Sequence, residues 1–288
     1  MCFSTRESGP EMKRNNRFFK SMAHQHSGMM AGCFIGVLVL IALLVGFFPS
    51  MDPFAMSNDS FMPPSAQFWL GSDELGRSVA AGVLYGARIS LTVGFFAALV
   101  ATGIGVLLGA AAGFYGGWFE TVVMRTSEFF QVIPSFILAA VIVAMTGTGL
   151  VQIIAVVGLL AWPQVARVMR GEVLRVKQLE FVDAVRCLGL SEGRVLFGEV
   201  IPNAVAPVLA VGTLIVGQAI LLEASLSFLG LSSAELVSWG RMLNSGQRFL
   251  FNAWWLSFFP GAAIFLTVLA FNLFGDAVAA VFNPRNAR

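Results

Sequence analysis

The sequence predicts an all-α integral membrane protein with six transmembrane helices and a long polar loop on the cytoplasmic side. Three observations predict it. Of the 288 residues, 57% are hydrophobic and 12% charged, whereas soluble domains carry about 25% charged residues. Mean hydropathy is +0.80. The apolar residues are gathered into six runs, and a run of about 20 suffices to cross a hydrocarbon core about 30 Å thick. The same numbers exclude a disordered chain, which needs few apolar residues. The net charge of +2 gives no basic face for nucleic acid. Cys2, Cys33 and Cys187 are odd in number and lack metal or redox spacing, which excludes a disulfide scaffold.

Residues 1–27 form a polar N-terminal tail, and Gly28 to Phe48 is the first apolar run, without a charge. It is longer than the roughly 7–15 residues of a signal-peptide core. Phe47-Phe48-Pro49 is no small-residue cleavage site, so the run reads as a retained anchor. Residues 49–88 then form an extracytoplasmic loop, and 89–280 hold a core of five further helices. Their apolar runs are Ile89 to Ala112, Phe129 to Thr146 (starting near Thr121), Leu150 to Ala166, Val200 to Leu222 and Phe249 to Gly275. Pro202 and Pro207 predict an irregular start to the fifth. Residues 281–288 are a short tail.

Charge sets the orientation. With the N-terminus inside, the inside segments 1–27, 113–120, 167–203 and 281–288 carry thirteen Lys/Arg. The outside segments 49–88, 147–149 and 231–248 carry four. Both termini are therefore expected in the cytoplasm.

Ala97, Ala101, Gly105, Gly109, Gly113 and Gly117 follow one another at intervals of four. They share one helix face, along which a second backbone can approach closely. The partner is a helix of the same chain or of a second membrane subunit. Ionisable residues at membrane depth are few, and each is a functional candidate. Arg125 and Glu128 lie three apart and can pair. Glu223 lies toward the outer end of the fifth span, as a packing residue or as part of a gate, and Asp276 follows the last span. No carboxylate–histidine chain crosses the bilayer. His24 and His26, near Met22, Met29 and Met30, are too weak a cluster for a metal site, and no catalytic set of residues is visible.

Segment 167–203 departs from the rest, with 11 of the 34 formal charges in 37 residues. Glu172 to Leu188 reads as one amphipathic helix. Val173, Val176, Leu179, Val182, Val185 and Leu188 recur every third residue. Glu172–Arg175, Lys177–Glu180 and Asp183–Arg186 are spaced to pair. Gly189 can end the helix, and Ser191 can cap a second short one. Such a helix pair projecting from a membrane domain suits docking against another protein; the alternative is a solvated connector with no partner, which needs neither the length nor the apolar stripe. The chain has three lysines, none in a G-x-x-x-x-G-K-[ST] phosphate loop; if the protein is a pump, its motor lies on another chain.

The stretch Glu180-Phe-Val-Asp-Ala-Val-Arg-Cys-Leu-Gly189, with Val200-Ile-Pro202-Asn203, resembles the "EAA" loop of bacterial ABC-importer permeases, E-A-A-x₃-G-x₉-I-x-L-P. The family acid falls on Asp183, the first alanine on Ala184, the glycine on Gly189 and the proline on Pro202. Val185, Glu199 and Ile201 depart from the pattern. Leu70-Gly-Ser-Asp-Glu-Leu-Gly-Arg77 and Tyr85-Gly-Ala-Arg-Ile-Ser-Leu91 resemble a signature of the dipeptide/oligopeptide/nickel permeases, with Ser78 in place of the usual Asp. They point to the C-type member of the permease pair. Glu223 to Leu231, Ser238 to Leu243 and Phe271 to Asp276 are similar to further stretches of that family.

The resemblance implies a type I ABC-importer permease, a six-helix half-channel. It implies a homologous B-type permease, two cytoplasmic ATPase subunits and an extracytoplasmic solute-binding protein as partners, in the bacterial inner membrane. No cofactor is expected on this chain, and ATP and Mg belong to the ATPases. Glu180, Asp183, Ala184, Arg186, Gly189 and Pro202 are the expected ATPase-coupling residues. Glu223, Arg125 and Glu128 are candidates for the pathway or gate, and Ala101, Gly105, Gly109 and Gly113 for helix packing. Family members import dipeptides, oligopeptides, nickel, metal chelates or opines, with peptide the default. The other reading is an ion-coupled secondary carrier with no ATPase partner.

Overall fold

In the computed structural model, residues 10–47, 51–233 and 235–281 are described, together with the side chains from His26 onward. The tail 281–288 beyond Val281, the Phe48-Pro49 pair and the side chains of Met22 and His24 lie outside the described residues. Ten α-helices follow one another among the described residues: α1 Pro10–Leu44, α2 Val79–Tyr115, α3 Gly117–Val132, α4 Ser135–Thr146, α5 Leu150–Val176, α6 Glu180–Cys187, α7 Glu192–Arg194, α8 Ile201–Phe228, α9 Trp239–Gly246 and α10 Trp255–Val281. Among them α1, α2, α5, the α7–α8 rod and α10 are long and apolar enough to span a membrane. The α3–α4 pair passes the same test only when its two helices are taken together, bent by 89°, and makes a sixth where the pair is one span.

The third expected span, Phe129 to Thr146 from near Thr121, is thus two helices. Pro134 offers no N–H and forces the residue before it out of the helical region. Ile133 is accordingly extended, at ψ 130°. The other helices overrun their apolar runs, because charged residues near helix ends reach the interface without ending the helix. Ser78 starts α2 early by accepting the Ala81 N–H, ten residues before the expected start. The sixth span begins at Trp255, later than expected, and runs past Asp276, which lies within α10. The irregular start of the fifth span is a π-helical turn, Val195–Val200, just before Pro202. Proline has no N–H for the carbonyl four residues back. Ile201 instead returns its N–H to Leu196, five residues back.

The small-residue stripe packs α2 on α5. A Cβ on Gly105 would strike Val165, and one on Gly109 would strike the Ala166 backbone. A Cβ on Gly113 would meet the Arg170 carbonyl at 2.9 Å. Ala97 and Ala101 are fully buried. Gly117 is not part of the stripe. α2 ends at Tyr115, and Gly117 opens α3 with a positive φ and open space around it.

Between α1 and α2, the Leu70–Arg77 motif is a clasp. The Asp73 carboxylate accepts the N–H groups of Leu75 and Arg77, both at 2.8 Å. Trp255 Nε1 donates to the Ser72 carbonyl at 3.1 Å, tying this loop to the start of α10.

Candidate docking site and membrane pathway

α5 and α6 are separate helices, so the single helix expected over 172–188 is broken at residues 177–179. The helical path ends at Leu179, which is extended at ψ 139°. Just before it, the Lys177 Nζ donates to the carbonyls of Gly113 and Phe114 at 3.1 Å each, where the last turn of α2 has acceptors to spare. Lys177 therefore does not pair with Glu180. The other two expected pairs form: Arg175–Glu172 at 2.8 Å and Arg186–Asp183 at 3.6 Å.

Breaking the helix splits the apolar stripe. Val173, Val176 and Val182 are buried, in one cluster with Val195, Leu196 and Val200. Leu179, Phe181 and Leu188 are exposed, at 41%, 37% and 78%. Val182 thus roots α6 in the membrane domain, and the exposed residues face outward beside Glu180, Asp183 and Ala184. Glu180 and Asp183 in the first turn and Arg186 in the last suit the helix dipole. The Arg186 guanidinium lies 5.5 Å over the Phe114 ring and 3.4 Å from Glu192, so it ties α6 to α2 and α7. Gly189 follows α6 at φ +80°, a conformation that favours glycine. Ser191 stands at the α7 N-cap without a side-chain cap bond. Pro202 is exposed in the first turn of α8.

The candidates at membrane depth fall into two kinds. Arg125 and Glu128 pair at 2.9 Å on an exposed face of α3. Glu223 is 2% exposed and sits among serines. Ser227 Oγ donates to one carboxylate oxygen at 2.6 Å and Ser90 Oγ to the other at 3.3 Å. The hydroxyl of Ser238, at the start of α9, is a third neighbour. Glu223 therefore joins α2, α8 and α9. Sequence reasoning missed these serines, and it missed a cleft of about 370 Å³ between α4, α5 and α8, lined in part by Gln164 and Gln218. Glutamines uncharged and far apart in sequence give no pattern to detect.

Residues 105–288 match the binding-protein-dependent transport system inner membrane component family. The chain belongs to that family. It is a multi-pass membrane protein and the permease subunit of an ABC importer, with the type I permease fold. It is 35% identical over 274 residues to the glutathione transport system permease protein GsiD of Pectobacterium atrosepticum, covering 93% of this chain and 90% of that protein. It is also 38% identical over 265 residues to the dipeptide transport system permease protein DppC of Bacillus subtilis, covering 90% and 82%. DppC of Alkalihalophilus pseudofirmus is 35% identical over 270 residues, covering 93% and 88%. The carrier reading that needs no partner gives way to this membership.

Proposed function

We propose that this chain is the C-type half of a peptide importer in a bacterial inner membrane, with both termini cytoplasmic. It pairs with a homologous B-type permease. Two cytoplasmic ATPases hold ATP and Mg and drive it, and an extracytoplasmic binding protein delivers the solute. The exposed face of α6 carries the reading. Leu179, Phe181 and Leu188 leave an apolar surface in water, on the side where thirteen of the Lys/Arg gather. Seating them in a groove on an ATPase removes that surface from water.

Val182 fixes α6 to the cluster that also holds residues of α5 and α8. Closure of the ATPases then moves these helices as one body between inward-facing and outward-facing states. Glu180 and Asp183 are the polar contacts to the ATPase, Arg186 holds the helix, and Gly189 and Pro202 set its exit. Arg125 and Glu128 stand near the pathway, and Glu223 acts on the gate by holding α9. Peptide is the solute named for the three relatives above, and it is the solute proposed here.

Affinity purification from native membranes in mild detergent, with mass spectrometry of the co-purifying chains, tests the assembly. Recovery of two nucleotide-binding subunits, a second permease and a binding protein is expected. A chain that emerges alone, with no ATPase stimulated by it, overturns the proposal.

A further inference from the structure

Gln164 and Gln218 line the cleft between α4, α5 and α8, with Ser135 and Ser225 also on its wall. At about 1.5 Å per residue, Gln164 lies about 21 Å from the start of α5 and about 18 Å from its end. Gln218 lies about 26 Å and about 15 Å from the two ends of α8 by the same measure. Both are therefore deep in the membrane, and both are exposed on the isolated chain. Neither side-chain amide has a hydrogen-bond partner among the described residues. Facing lipid, each would lose its water partners and gain none.

The chemistry of the wall narrows what it meets. No lining residue is charged, so the cleft offers no counter-ion to a charged side chain. A primary amide both donates and accepts, as a peptide unit does. The volume also falls within the roughly 300–1,000 Å³ of small-molecule sites. We propose that this cleft is a stretch of the translocation pathway in which Gln164 and Gln218 hydrogen-bond the backbone amides of a short peptide in transit. Recognition of the backbone alone would admit many side chains and leave selection to the binding protein. The inference rests on the peptide-importer reading above.

Two measurements on the reconstituted full transporter test it. In a background with Cys2, Cys33 and Cys187 changed to alanine, Gln164→Cys and Gln218→Cys are treated with a water-soluble maleimide, with and without an ATP analogue. Labelling in at least one state is expected. Labelling in neither places the two positions against lipid or a packed helix and overturns the proposal. The second measurement is uptake of radiolabelled L-alanyl-L-alanine and of glutathione. Losing two hydrogen bonds in Gln164→Leu/Gln218→Leu should lower uptake about tenfold or more, with Gln164→Asn/Gln218→Asn retaining more. Unchanged uptake by the leucine variant overturns the subsite and leaves the importer reading standing. Uptake of neither solute by the wild type overturns the peptide reading itself. Co-purification of the partner subunits checks assembly, and where the leucine variant fails to assemble, the maleimide result decides.

Discussion

The Lys177 ammonium donates to the Gly113 carbonyl at 3.1 Å, across 64 residues of sequence. One side chain thereby ties the end of α5 to the C-terminal end of α2. Replacing it leaves two terminal carbonyls without a cationic donor. Lys177→Met should lower stability by about 1–2 kcal/mol, read as a lower melting temperature of the detergent-purified protein. An unchanged melting temperature would show that water replaces the ammonium at no cost.

Gly189 stands at φ +80° with no atom near its missing side chain. Conformation, not space, is therefore what excludes other residues. Gly189→Val should cost about 1–2 kcal/mol locally, displace the end of α6 and lower both uptake and ATPase stimulation without preventing membrane insertion. Gly189→Asn, which tolerates this conformation better, should keep most of both. Equal loss in the two variants would point to crowding against the ATPase instead, and normal uptake in the valine variant would refute the docking role of α6.

Val182 lies within α6 and Leu188 at its C-cap, and they differ in burial, none exposed against 78%. Leu188→Asp should leave the isolated subunit folded and abolish ATPase co-purification. Val182→Asp should fail earlier, since it buries an unpaired carboxyl, and its yield in membranes should drop. Retained co-purification by Leu188→Asp would remove this residue from the docking surface.

Gly109 and Gly103 sit on the same helix, with the Ala166 backbone against the first and open space around the second. Gly109→Leu should separate α2 from α5, an overpacking cost of about 1–3 kcal/mol or more, and reduce the folded yield. Gly103→Leu should be tolerated. Size-exclusion profiles of the two variants in detergent compare them directly, and matching profiles would contradict the close approach.

Residue chemistry by itself determined the membrane class, the apolar runs that become the spans and the small-residue face of α2, though not that α5 covers it. Each of these rests on local facts: apolar length against bilayer thickness, charge at helix ends, and the fourfold recurrence of small residues on one face. The docking segment was legible as a stretch of chain, because Gly189 and the charge density from 167 to 203 are local signals. Its division into α5 and α6 was not, since the carbonyls that draw Lys177 away from Glu180 are remote in sequence. The same remoteness hid the Ser90–Glu223 contact, 133 residues apart, and the pairing of Gln164 with Gln218 in one cleft. Tertiary structure alone decided which valines are core and which apolar residues stay outside, because a three-residue period marks a face without saying what lies opposite it.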